Sequence, residues 1–232
     1  MKNLLLTALL SAAALVPAFA QNTQVRPLAA FHAIKVGSGI SLELTAGHSQ
    51  RVEVSASSTE DRDRITTTVS NGTLVISYDR AGLSGMFHSS RQLRVAVTAD
   101  QLTALAAGSG SSVESSGNIA AAGSFELAVS SGASLRAELG TAALTVRESS
   151  GSTVALSGHA ASLDLQVGSG ATFNGKNLQT DRCRAQASSG SSVRVAVKDD
   201  LVADASSGAS VSYSGSPQVT KHVSSGGSVS GH

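Results

Sequence analysis

The chain has 232 residues, 17 basic against 16 acidic side chains, 14% charged residues, 3% aromatics and no tryptophan. A net charge of +1 with so few aromatic platforms excludes the basic, stacking surface that nucleic-acid recognition draws on, and gives no attraction to anionic lipid. A single cysteine, Cys183, forbids an internal disulfide, so packing and backbone hydrogen bonds must hold the fold.

In chain order, residues 1–20 read as a secretory signal peptide. Lys2 supplies the basic start, Leu4 to Val16 the apolar run, and Ala18-Phe19-Ala20 the small-x-small cleavage site. The run is short for a bilayer span and no later stretch approaches one. The expectation is an exported mature chain, periplasmic, outer-envelope or extracellular, with no membrane span.

Residues 21–107 read as a β-rich cap with a first rung. Phe31 to Val36, Ile40 to Leu44, Arg51 to Ser55, Ile65 to Ser70, Thr73 to Tyr78 and Leu93 to Thr98 are strand-like. Asn71-Gly72 between two such runs signals a two-residue type I′ hairpin. Residues 79–92 read as a flexible excursion between strands.

Residues 108–232 carry a repeat. The pattern (Gly/Ser)-Ser-Gly-x-x-apolar occurs eight times, once in the cap, with central glycines Gly39, Gly110, Gly132, Gly151, Gly170, Gly190, Gly208 and Gly226. From Gly110 onward the intervals are 22, 19, 19, 20, 18 and 18 residues, the mark of a solenoid whose corner is written in Ser and Gly. Registered on the glycine, apolar residues fall seven, five and three positions before it and three after it, as in Phe125, Leu127, Val129 and Leu135 around Gly132. Alternation of this kind belongs to strands with one buried face. The pattern predicts an all-β, right-handed parallel β-helix of ~18–22 residues per rung, continuous with an N-terminal β cap that contains a hairpin.

Four expectations concern the corner and its breaks. The glycine is expected to supply a backbone conformation other residues avoid, and the serine before it to point inward as a hydroxyl ladder. Glu148 falls three residues before Gly151, a nominally inward place, where a local bulge is favoured over a buried acid. Lys221 is also nominally inward, in the last rung, where the interior opens to solvent.

Reactive or binding groups of a coil of this kind belong on its outward positions. Arg147, Asp164 and Arg184 on successive rungs, about 4.8 Å apart per rung, make a charged strip available for sugar contact or catalysis, with a solvated face as the plainer reading. The repeat offers few of the paired carboxylates a glycosidase uses. The corners hold Ser or Thr where calcium-binding solenoid repeats place Asp, and the six histidines lack metal-ligand spacing. Cys183 stands in a column of Leu and Phe, so it reads as core rather than nucleophile. No catalytic, cofactor or metal residue is identified. The leading expectation is a non-enzymatic envelope or surface protein for adhesion, scaffolding or carbohydrate contact, with an envelope protein as another possible partner. The rival is a polysaccharide-active enzyme using the charged strip. Self-association through the open terminal rung is a third option.

The runs AFHAIKVGSGISLELTAGHSQRVEVSAS, ITTTVSNGTLVISY and LRVAVTADQLTALAAGSGSSV resemble the putative auto-transporter adhesin head GIN domain family of bacterial exported proteins. The short signature corresponds to Gly39-Ile40-Ser41, with Ser in the place of Asn. The resemblance implies a β-helical fold and an envelope or surface location, and brings no catalytic or ligand residues with it.

Overall fold

The structure is a computed structural model that describes residues 22–81 and 91–232. The signal-peptide reading of residues 1–20, and residues 82–90 of the excursion expected over 79–92, lie outside the described residues. The order is β1 (Thr23–Val25), β2 (Ala33–Val36), β3 (Ser41–Ala46), β4 (Arg51–Ala56), α1 (Thr59–Arg64), β5 (Ile65–Ser70), β6 (Thr73–Tyr78), β7 (Leu93–Ala99) and β8 (Ala104–Ala107). Then come β9 (Ser112–Val129), β10 (Ser134–Glu148), β11 (Thr153–Val167), β12 (Thr172–Ala187), β13 (Ser192–Ala205), β14 (Ser210–Ser214), β15 (Gln218–Val223) and β16 (Ser228–Gly231). The sheet curls into a β-solenoid of about seven turns.

From β9 to β13 each strand runs round the coil and pairs in parallel with the next. The register places like on like: Phe125 lies beside Leu144, then Leu163, Cys183 and Leu201. All five are buried, and so is the neighbouring column of Leu127, Val146, Leu165, Ala185 and Ala203. A rung alone has no second layer to bury these side chains; stacking supplies it, and each Leu or Val so buried contributes roughly 1.5–3 kcal/mol. The unequal rung lengths are absorbed away from the corner, where β9 and β10 slip register between Arg136 and Glu138 and between Thr141 and Ala143. The corners therefore stay aligned.

Each corner is a tight turn with two left-handed residues. Ser131 has φ 55° and Gly132 φ 69°, and the same pair recurs at all eight corners. The amide of Ala133 donates to the Ser130 carbonyl at 3.1 Å, closing a type I′ turn. The glycine takes the expected left-handed conformation, but the serine before it takes it too, and the expectation that this serine turns inward is corrected. Ser109, Ser131 and Ser150 are exposed, because the turn lifts both central residues off the coil. The serine contributes its carbonyl: the Gly110 amide donates to Ser131 and the Gly132 amide to Ser150, each at 3.0 Å, knitting corner to corner along the axis. The inward hydroxyls come two residues later in the chain. Ser111, Ser152 and Ser191 are buried, with their hydroxyls donating to the carbonyls of Val36, Val129 and Val167.

The N-terminal portion has a crossed order. β2 pairs in parallel with both β6 and β8, and β3 with both β7 and β9. The rung that comes first in sequence therefore lies inside the one formed by β6 and β7. Antiparallel strands finish this end: β5 on β6, and β4 with β1 beyond β7. The β5–β6 connection is the expected hairpin, with Ser70 facing Thr73 and Asn71 and Gly72 both left-handed. The short helix α1 begins at Ser58, whose hydroxyl accepts from the Asp61 amide at 3.0 Å. At the other end, Val219 and Val223 of β15 are exposed, and Lys221 with them.

Candidate functional site

Side chains four residues before each corner glycine project outward from the coil. The parallel register lines them up as Arg147, Gln166, Gln186, Asp204 and His222, one each on β10, β11, β12, β13 and β15. Two residues further on, Ser149, Ser188, Ser206 and Ser224, with Gly168 among them, form a second wall against the corner. Between the walls runs an open groove of about 740 Å³, floored by the backbone of the inward residues. Neighbouring strands lie about 4.8 Å apart, so the groove offers a polar side chain at each such step. The sequence places all five at outward positions, but the charged strip took only Arg147 from this column. The inner wall has its signal in the first position of each six-residue motif, which is Ser or Gly in every copy.

The charged strip of Arg147, Asp164 and Arg184 divides between two columns. Arg147 faces Gln166 in the groove wall, whereas Asp164 faces Arg184 one column away. Arg184 leans toward the groove, its Nη2 lying 3.7 Å from Asp204 Oδ2. The corner glycines follow the inner wall by two residues, and from Gly39 to Gly208 their backbone amides are already bonded to the neighbouring rung.

Glu148 lies beneath this groove and corrects the bulge expectation. It is in register with Val129 on one side and Val167 on the other, and only 3% of it is exposed. The rung keeps its register because carbonyl–amide pairing on both sides outweighs the cost of one buried carboxyl. Burial pushes its pKa up to about 7, opposed in part by the Ser152 hydroxyl, which donates to Oε1 at 3.3 Å. Its Oε2 has no hydrogen-bond partner.

Groups suited to covalent or metal chemistry are dispersed. Cys183 is buried, and burial, aided by the charge of Asp164, pushes its thiol up to about 12, well away from a thiolate at neutral pH. His159 Nε2 stands 3.8 Å from Asp181 on the far side of the coil, beside a separate cavity of about 660 Å³ that Lys198 also lines. The hydroxyl of Thr180 there donates to the Ala196 carbonyl at 3.0 Å rather than to a base. Among the described residues no three His, Cys, Asp or Glu side chains are grouped to hold a metal.

Solved structures of the same fold are similar to the chain along most of its length. A putative adhesin from Bacteroides fragilis superposes with a TM-score of 0.79 at 16% identity, covering 90% of this chain and 94% of that one. A putative adhesin from Parabacteroides distasonis gives 0.70 at 16% identity, with 90% and 96% covered. A putative lipid binding protein from the same species gives 0.64 at 15% identity, again with 90% and 96% covered. No curated protein matches the chain. The family model described as putative auto-transporter adhesin, head GIN domain matches residues 30–217, which is most of the chain, and the protein belongs to that family.

Proposed function

We propose that this is an exported, non-enzymatic surface or envelope protein that holds a linear polysaccharide in the groove beside its corners. The carrying observation is the in-register column of Arg147, Gln166, Gln186, Asp204 and His222 facing a wall of serines. Regularly spaced amides and hydroxyls match a ligand that repeats along its length, and a regular chain of sugars is such a ligand. Hydrogen bonding rather than aromatic stacking would hold it, since the chain has no tryptophan and the groove no aromatic residue. Membership of an adhesin-like family supports a surface role, and no helix among the described residues is long and apolar enough to cross a membrane.

The test is a glycan array followed by titration calorimetry on the retained glycans. The double variant Gln166→Ala/Gln186→Ala is expected to bind at least ~10-fold more weakly, since each lost hydrogen bond is worth about 1 kcal/mol. Unchanged affinity would remove the groove from the reading. Release of new reducing ends from the same glycans, abolished by Arg147→Ala/Asp164→Ala/Arg184→Ala, would replace it with an enzymatic one.

A further inference from the structure

The groove does not stop at Ala128. A second depression of about 220 Å³ shares Ala128 and Ser130 with it and continues toward the N-terminal end. Its outer wall is Val75, Lys35 and Ala106, and its inner wall includes Gly37 and Gly108. Register joins the two: Val75 faces Lys35, which faces Ala106, then Ala128, then Arg147. The structure assigns these two depressions to one trough, crossing nine strands from β6 to β15, that holds a long uncharged polysaccharide in mid-chain. This rests on the glycan reading above and adds the footprint and the charge class of the ligand.

Eight steps of about 4.8 Å give a trough of about 38 Å, of which the C-terminal part takes about 24 Å. Small residues keep the junction open. Ala106 and Ala128 project little from one wall; opposite them, Gly108 projects nothing and Ser130 little. Charge argues for a neutral chain: Lys35, Arg147 and Arg184 are offset by Glu126, Asp164 and Asp204 across the trough and its adjoining column, leaving His222 on the wall and the buried Glu148 beneath the floor as the remaining titratable groups. A polyanion would find no net cationic field here. An extended peptide would seek a free strand edge, but every strand from β2 to β13 on this face already has a neighbour on each side.

The experiment titrates the full mature chain with cello- and chito-oligosaccharides of increasing length. Affinity should climb with length until the whole trough is filled. Ala128→Trp places a plug at the exposed junction, and should stop that climb partway. The longest oligomers would then bind about 10-fold more weakly, while short ones keep native affinity. Ser134→Trp, exposed on the face beyond the corner, should change neither. The inference is overturned if Ala128→Trp binds the longest oligomers as tightly as the native chain, if native affinity is flat with length, or if polymannuronate outcompetes both neutral series. Binding that is absent at every length and in every series would take the glycan reading down with it.

Discussion

At every corner a serine occupies the left-handed region, where a side chain costs roughly 1–2 kcal/mol relative to glycine. Asn-Gly is the pair that type I′ turns favour, as the hairpin at Asn71-Gly72 already shows. Replacing Ser189 by Asn should therefore raise stability by up to about 1 kcal/mol in urea unfolding, and a loss would contradict the turn assignment. The corner glycines and Gly158 should separate sharply. A Cβ on Gly132 meets nothing within 4 Å, so Gly132→Ala should cost only the backbone strain of about 1 kcal/mol. A Cβ on Gly158 would stand 2.1 Å from the Leu139 carbonyl oxygen, so Gly158→Ala should cost at least twice as much.

Glu148 makes a prediction of its own. Its folded pKa of about 7 lies above the ordinary 4.5, so the unfolded chain gives up the proton first. The penalty is absent below about pH 4.5, grows as pH rises toward 7, and is complete above it. After allowance for the part that solvent screens, it amounts to roughly 2 kcal/mol at pH 8. Glu148→Gln should thus raise the melting temperature by about 5 °C at pH 8 and by little at pH 4. A difference constant across that range would mean that the carboxyl is solvated.

At the scale of elements, the N-terminal end is tied by one cluster that joins helix, hairpin and the residues just before β7. The Tyr78 hydroxyl donates to Asp61 Oδ1 at 2.7 Å, Arg91 reaches the same carboxylate at 3.3 Å, and the Arg91 guanidinium lies over the Tyr78 ring. Ser58 and Asp61 form the start of α1 in the same cluster. Tyr78→Phe should cost about 1 kcal/mol and Asp61→Ala about 2, and the double variant should fall short of their sum because the two share a bond. Strict additivity in denaturant melts would show that the contact is not made in solution.

Across the whole molecule, contacts run chiefly between neighbouring rungs, so stability should grade along the axis rather than be uniform. β11 and β12 are paired on both sides, whereas β15 pairs only with β13 and leaves Val219 and Val223 exposed. Amide exchange should accordingly be fastest in β15 and β16 and slowest in β11 and β12. Equal protection in the two regions would argue for a cooperative unit that spans the whole coil.

The repeat was legible because its causes are local. A strand with one buried face must alternate, and a type I′ corner must place a residue that tolerates positive φ at a constant point of the period. Those two demands are written in Leu127, Val129 and Gly132 and again in the later rungs, broken only at Glu148 and Lys221. The hairpin at Asn71-Gly72 is local in the same sense. What only the tertiary structure decided depends on pairing between segments far apart in the chain. β6 and β7 can dock outside β2 and β3 without altering any residue's alternation, so composition and period carry no trace of that order. The burial of Glu148 was decided by the register of two neighbouring rungs, which gains more from unbroken pairing than one carboxyl costs. The trough depended on the same stacking: residues about 20 positions apart become neighbours only when the coil closes, and Lys35, Ala128 and Arg147 then share a wall that no stretch of sequence contains.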